Sequence, residues 1–391
     1  MPDKIFPAGP IARRADGIPP FHVMELLSRA HELAAQGRDI IHMEVGEPDF
    51  PVAAPVLAAA QAFLGAGRVE YTPAAGLPAL REGIAAHYAA RFGVTVDPAR
   101  ILVTAGASGA LLLALAGLTE FGDRWLLPDP GYPCNRQFVQ AFGGEVDSLN
   151  VRAEEAFQPT AASVAGAWQA RTRGLMVASP ANPTGTLIAR ETLAGILAEV
   201  RARNGACVVD EIYQGLTYGR APETALSLGD DMFVINSFSK YFGLTGWRLG
   251  WLVAPAPYVR ALEKLAQHYT ICASTVAQHA ALAAFSPEAL AIFEARREAF
   301  SQRRTCLLAG LRELGFGVPA EPEGAFYVYA DVSRHAPDSA AFAHRLLEET
   351  GVAATPGVDF GAREPQRWLR FAYTTDVARI EEALARMKKL L

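Results

Sequence analysis

The chain has 391 residues, 51% of them hydrophobic and 20% charged, which is the make-up of a folded globular protein and, at this length, suggests two or three domains. Its 36 basic and 41 acidic residues leave a formal net charge of -5 with no basic block, which argues against nucleic acid as a partner. Cys134, Cys207, Cys272 and Cys306 are scattered without C-x-x-C spacing, which argues against a disulfide framework and a zinc ribbon and fits a reducing cytoplasm.

Residues 1 to 22 mix charges with prolines and have no apolar stretch of the secretory kind. Val23 to Gln36 has the spacing of an amphipathic helix, and the turn-rich Gly46-Glu47-Pro48-Asp49 marks entry into a larger unit. Ile101 to Thr119 is uncharged and long enough on its face for a membrane span. It opens on Ile-Leu-Val-Thr, breaks at Ala105-Gly106-Ala107-Ser108-Gly109 and resumes at Ala110, which is a buried strand, a tight turn and a buried helix, so no membrane is expected. Further strands are predicted at Trp125–Leu127, Glu145–Leu149, Gly174–Ala178, Cys207–Asp210, Met232–Ser237 and Trp251–Ala254. Helical stretches separate many of them: Leu111–Leu118, Asn135–Phe142, Ala161–Arg171 and Arg190–Arg203. The alternation is that of an α/β unit, a mostly parallel sheet sandwiched by helices.

After about residue 285 the pattern becomes a long helix (Glu288–Leu314), a strand (Gly324–Asp331), a helix near Ser339–Glu349, short strands near Val352 and Arg370, and a closing amphipathic helix, Val377–Leu391. The expectation is a large domain over 46–285 and a smaller α+β domain formed by 1–45 with 286–391.

Ligands of open α/β sheets bind at the carboxyl ends of the strands, so the polar residues ending each strand are where chemistry is sought. Thr104 to Gly109 runs straight into a helix and offers free N–H groups to an anion. Ser179 to Gly185 fixes Asn182 between two prolines. Asp210 follows a buried apolar strand, where a carboxylate is costly unless a cation or several donors face it. Ser237-Phe238-Ser239-Lys240, with Gly246-Trp247-Arg248 six residues on, places two hydroxyls, an amine and a guanidinium within twelve residues. Only 5 of the 36 basic residues are lysines. Lysine forms imines and arginine does not, so an isolated lysine amid Ser, Phe and Tyr points to a chemical role, against the plainer alternative of a lysine snorkelling from a helix start.

Together these pieces resemble the pyridoxal-phosphate-dependent aminotransferases of class I/II, the aspartate-aminotransferase-like family of fold type I. The resemblance runs through Gly46-Glu47-Pro48-Asp49-Phe50, Tyr71-Thr72-Pro73, the Gly106 turn, Asp129-Pro130-Gly131-Tyr132, Asn182-Pro183-Thr184-Gly185, Asp210-Glu211-Ile212-Tyr213, Ser237 to Lys240, Gly246-Trp247-Arg248, Gly324-Ala325-Phe326-Tyr327 and Arg370-Phe371-Ala372-Tyr373. It implies pyridoxal 5'-phosphate as cofactor and ping-pong transfer of an amino group from an L-amino acid to a 2-oxo acid. It further implies that Lys240 carries the cofactor as an imine and moves the proton, that Asp210 pairs with the ring nitrogen, that Asn182 and Tyr213 bond the ring oxygen and that Tyr132 stacks on the ring. Ala107, Ser108, Ser237, Ser239 and Arg248 would cup the phosphate, and Arg370, with Asn182 and Gly46, would hold the substrate α-carboxylate. Tyr71 would reach the phosphate of a neighbouring subunit, implying a homodimer with shared sites.

No Arg or Lys lies between Lys264 and Arg296, where an arginine for a distal substrate carboxylate is sought, and this leans toward neutral or aromatic substrates. Arg13, Arg14 and Arg136 remain available to a distal carboxylate. Two other functions fit the same residues less well: a carbon–sulfur β-lyase on the same scaffold, and a non-catalytic ligand sensor, against which the presence of Lys240, Asp210 and Arg370 counts.

Overall fold

A computed structural model describes residues 11–391. Its twelve strands are β1 (Ile41–His42), β2 (Ile101–Thr104), β3 (Arg124–Asp129), β4 (Glu145–Asn150), β5 (Thr172–Ala178), β6 (Ala206–Asp210), β7 (Phe233–Ser237), β8 (Gly250–Val253), β9 (Tyr327–Asp331), β10 (Val352–Ala353), β11 (Thr355–Pro356) and β12 (Trp368–Ala372). Seven of them form one sheet in the order β2-β8-β7-β6-β5-β3-β4, in which β8 alone runs against its neighbours. Runs such as Ile-Leu-Val-Thr in β2 and Phe-Val-Ile-Asn-Ser in β7 are buried at every position. That is what covering both faces of a parallel sheet requires.

The uncharged run from Ile101 resolves as β2, a turn at Ala105, and a helix over Gly106–Leu118 that packs on β7 and β8. Among the described residues no single helix is long and apolar enough to cross a membrane. The helix expected to reach Arg171 stops at Ala167, where Trp168 becomes extended and lays its indole against Gly205. The strand expected from Gly324 begins at Tyr327, because Ala325 takes a left-handed φ of 57° and donates its N–H to Leu216 O at 2.9 Å.

Register decides which side chains meet. Gly250 lies opposite both Ser237 and Thr104, and Asp210 lies between Ala178 and Ile235, so the polar strand ends share one edge of the sheet.

A second, antiparallel sheet, β11-β12-β9, puts Arg370 at its centre, opposite Tyr329 on one side and Thr355 on the other. The N-terminal part joins this region. β1 pairs with β10, Met43 N–H donates to Ala353 O at 3.0 Å, and Met43 O accepts from Ala372 N–H at 2.7 Å. The helix His22–Ala35 is held at its start by Asp359, whose carboxylate accepts from the N–H groups of His22 and Val23 at 3.0 and 2.8 Å. The 27-residue helix Pro287–Glu313 and the final helix Val377–Leu390 pack against each other beside these strands.

Candidate active site

Lys240 sits in the turn after β7, and its ammonium donates to the carbonyl of Gly46 at 2.7 Å, with the Phe326 ring 5.7 Å from Nζ. Burial lowers its pKa to about 8, with the positive charges of Arg370 and Arg248 pushing the same way and Glu47 and Asp210 opposing. An amine held there is available in its neutral, nucleophilic form near physiological pH.

Asp210 ends β6 and Glu211 follows it, and the two carboxylates face different tasks. Glu211 spends its carboxylate on Ala225 N–H at 2.6 Å and on the Thr224 hydroxyl at 2.8 Å, capping the turn that follows. Asp210, equally buried, accepts from Ile212 N–H at 3.0 Å and forms no ion pair among the described residues. Burial raises its pKa to about 6, against the Ile212 N–H and the charge of Lys240. A carboxylate this poorly satisfied calls for a protonated partner on its open side.

A cradle for an anion lies across the sheet edge. The helix Gly106–Leu118 begins without a side-chain cap on its first N–H groups, those of Ala107 and Ser108 included. Opposite them the hydroxyls of Ser237 and Ser239 lie 2.8 Å apart. Arg248, in a left-handed turn with φ 53°, donates to Thr245 O at 3.0 Å and carries its guanidinium over Gly106. A Cβ at Gly106 would stand 2.7 Å from Arg248 Nη2, and one at Gly250 2.8 Å from Ala107 N. The cradle therefore exists only because both positions are glycine. Its donor set of free N–H groups, two hydroxyls and a guanidinium fits a phosphate.

The other side of the pocket is built from distant segments. Arg370 is buried and donates to Asn182 Oδ1 at 2.9 Å, to the carbonyl of Glu44 and to Thr355 Oγ1 at 3.3 Å. Its guanidinium lies 4.4 Å from the Tyr327 ring centre and 4.8 Å from that of Phe360. Its Nε has no hydrogen-bond partner, and among the described residues no carboxylate lies within ion-pair distance. A buried cation lacking a counter-charge is satisfied when an anion enters. Tyr213 Oη meets Tyr327 Oη at 2.8 Å, and burial, with the neighbouring Cys134, raises the pKa of Tyr132.

The predicted residues Gly46, Asn182, Asp210, Tyr213, Lys240 and Arg370 thus converge on one pocket with Tyr132, and Ala107, Ser108, Ser237, Ser239 and Arg248 form its anion-binding edge. Tyr71 does not join them: it is 79% exposed, in a segment tied by Glu70 O, which accepts from the Thr275 hydroxyl at 2.7 Å. Arg136 lines a cavity together with Tyr132 and Asn182, and its Nη2 donates to Asp129 and Ser148 at 3.0 Å each. The side chains of Arg13 and Arg14 lie outside the described residues. Tyr327, Thr355, Phe360 and the carbonyl of Glu44 were not singled out from the sequence; only the Gly324 to Tyr327 motif touched on one of them. Among the described residues no group of three His, Cys, Asp or Glu is placed to hold a metal ion.

Residues 38–387 match the family model of aminotransferase class I and II. The valine–pyruvate aminotransferase of Mycobacterium tuberculosis is 42% identical over 379 residues, covering 96% of this chain and 97% of its own, and the aspartate aminotransferase of Thermotoga maritima is 34% identical, covering 97% and 99%. Among solved structures, an aminotransferase from M. tuberculosis superposes with a TM-score of 0.94 at 41% identity, covering 98% and 99% of the two chains, and the aspartate aminotransferase of Thermus thermophilus with maleate gives 0.92 at 33%, covering 98% and 100%. With agreement along the whole chain and a pocket of matching chemistry, the protein belongs to the class I and II aminotransferases, enzymes that depend on pyridoxal phosphate and act on amino and keto acids.

Proposed function

We propose that this aminotransferase works on amino acids with neutral, apolar side chains, and that the residues converging on the pocket divide the work as follows. Arg370 takes the substrate α-carboxylate. Its buried, uncompensated guanidinium with a free Nε is the observation that carries this reading. Pyridoxal phosphate supplies, when bound, an aldehyde for the amine and a ring that accepts the electron pair left at Cα. Lys240 is the amine that would hold it covalently and, once released, would move the proton between the substrate Cα and C4′ of the cofactor. Asp210 keeps a proton on the ring nitrogen, which in turn satisfies a carboxylate that burial otherwise disfavours. Asn182 and Tyr213 face the ring oxygen, Tyr132 covers the ring face, and Gly46 lines the substrate side. Ala107, Ser108, Ser237, Ser239 and Arg248 hold the phosphate.

The neutral substrate class rests on three facts. Residues 265–295 contain no Arg or Lys, Arg136 is tied to Asp129 and Ser148, and the M. tuberculosis relative is a valine–pyruvate aminotransferase. Tyr71 serves the phosphate of a second subunit. It is exposed, as are the apolar Val69, Tyr269 and Ile271, and its segment is tied through Glu70 O to Thr275, which agrees with a second copy of the chain covering it in a homodimer. The large domain is taken as 46–285 and the smaller as 1–45 with 286–391, and a cytoplasmic setting agrees with the four free cysteines.

Two measurements test this. Borohydride reduction of the holoenzyme followed by peptide mapping is expected to find the cofactor on Lys240, and a label on Lys264 overturns the assignment. A half-reaction screen, following the cofactor's absorption as each amino acid is added, is expected to favour valine, alanine or aromatic donors over aspartate. Faster conversion by aspartate removes the substrate proposal while leaving that of Lys240 intact.

A further inference from the structure

The fully buried Tyr327 touches every part of the substrate-binding side. Its hydroxyl lies 2.8 Å from Tyr213 Oη, and its ring lies 4.4 Å under the Arg370 guanidinium. The same hydroxyl stands so close to Gly46 that any Cβ there would collide with it, and the Gly46 carbonyl in turn accepts from Lys240 at 2.7 Å. The ring packs T-shaped on Tyr213, with centres 5.7 Å apart, and its backbone is fixed in β9 opposite Ala372 of β12.

Two phenols sharing one hydrogen bond must choose a donor. If Tyr213 directs its proton at an acceptor in the pocket, its oxygen is left to accept, and Tyr327 is the hydroxyl 2.8 Å away that can supply the bond. A phenol that accepts a hydrogen bond becomes a better donor, because successive bonds in a chain polarise one another. We propose that Tyr327 is a positioning residue of the reaction: its hydroxyl donates to Tyr213 and turns the proton of Tyr213 into the pocket, while its ring fixes the plane of the Arg370 guanidinium. The proposal rests on the reading that Tyr213 faces the ring oxygen of the cofactor bound on Lys240.

The two halves separate by substitution. In Tyr327→Phe the ring stays under Arg370 and the hydroxyl is lost. The ring oxygen then keeps more negative charge, Lys240 Nζ holds its proton to higher pH, and the pH midpoint of the holoenzyme's visible absorption rises by about half a pH unit or more. Affinity for 2-aminoisobutyrate, whose Cα has no proton to lose, stays within about twofold of wild type, since the cation–ring contact survives. In Tyr327→Leu the midpoint rises as well and affinity for 2-aminoisobutyrate falls about tenfold, as the guanidinium loses its support. An unchanged midpoint in Tyr327→Phe overturns the role of the hydroxyl, and unchanged affinity in Tyr327→Leu overturns that of the ring. Should the leucine variant not fold, the phenylalanine variant alone decides, because an altered midpoint with native affinity is not what a general packing defect produces. A borohydride label away from Lys240 in the wild type would instead fail the underlying reading, and is seen separately.

Discussion

The cradle at the sheet edge and the arm around Arg370 are made in opposite ways. The cradle comes from two short stretches, residues 104–109 and 237–250, brought together by neighbouring strands, and its donors are backbone N–H groups, hydroxyls and one exposed arginine. The arm draws on Glu44, Asn182, Tyr327, Thr355 and Arg370, scattered along the chain, and it buries a full charge without a counter-ion. A cradle whose single charged donor, Arg248, is exposed costs little to keep empty. A buried cation is held ready at a cost in stability, and that cost is recovered only when an anion arrives.

The largest effect expected from breaking this arrangement lies between the two halves, at Asp210. Asp210→Asn keeps the size and removes the charge, so turnover should fall by roughly three orders of magnitude or more while cofactor still binds through the cradle. Activity within a few-fold of wild type would reduce Asp210 to a structural cap. On the arm, Arg370→Lys should weaken amino-acid binding by about 2 to 5 kcal/mol, since an ammonium cannot make two parallel bonds to a carboxylate. Titration of the holoenzyme's absorption with 2-aminoisobutyrate measures this, and a loss of less than about twofold would contradict the clamp.

The same Asp210→Asn change should stabilise the protein freed of cofactor. The folded-state pKa of Asp210 is raised from 3.8 to about 6, so its contribution to stability is full below pH 3.8 and is lost as pH rises through 6. Above pH 7 the variant is expected to exceed wild type by about 1 to 3 kcal/mol, the gap closing toward pH 4. Parallel unfolding curves for the two proteins from pH 4 to 8 would refute it.

The smallest effects belong to the cradle. Gly106→Ala should push the Arg248 guanidinium aside and loosen the cofactor by about tenfold, with little change in the clamp. Equilibrium dialysis against pyridoxal phosphate reads it, and native affinity would show that Arg248 moves freely. Mixed dimers of Lys240→Ala with Tyr71→Ala should regain activity at one of their two sites. No rescue in verified heterodimers would return Tyr71 to its own subunit.

This contrast also explains what the sequence revealed. Ser237, Ser239, Lys240 and Arg248 lie within twelve residues, and Asp210 ends an apolar run, so local pattern alone exposed them. Arg370 gave no local signal among 31 arginines and was identified by resemblance. Tyr327, Thr355 and Phe360 were passed over because each acts through a contact made across strands or loops far apart in the chain. Among the elements, the helices Ala54–Gly65, Pro78–Phe92, Ala256–Tyr269 and Thr275–Leu282 were missed; the first is apolar almost throughout and shows little contrast between its faces. Glu44 contributes a carbonyl, which no side-chain pattern can announce.

That carbonyl also sets a timetable for synthesis. Glu44 reaches Arg370 because β1 lies on β10 and Met43 bonds to Ala372, joining segments 326 residues apart. On the ribosome the seven-stranded sheet, with Asp210 and Lys240 in place, has all its strands well before residue 370 emerges. The segment from Ile41 to Gly46 must wait throughout without its native neighbours, a non-local closure of the kind that slows folding. The cradle segments can therefore come together while translation continues, whereas the surroundings of Arg370 are completed only after residue 370 has emerged.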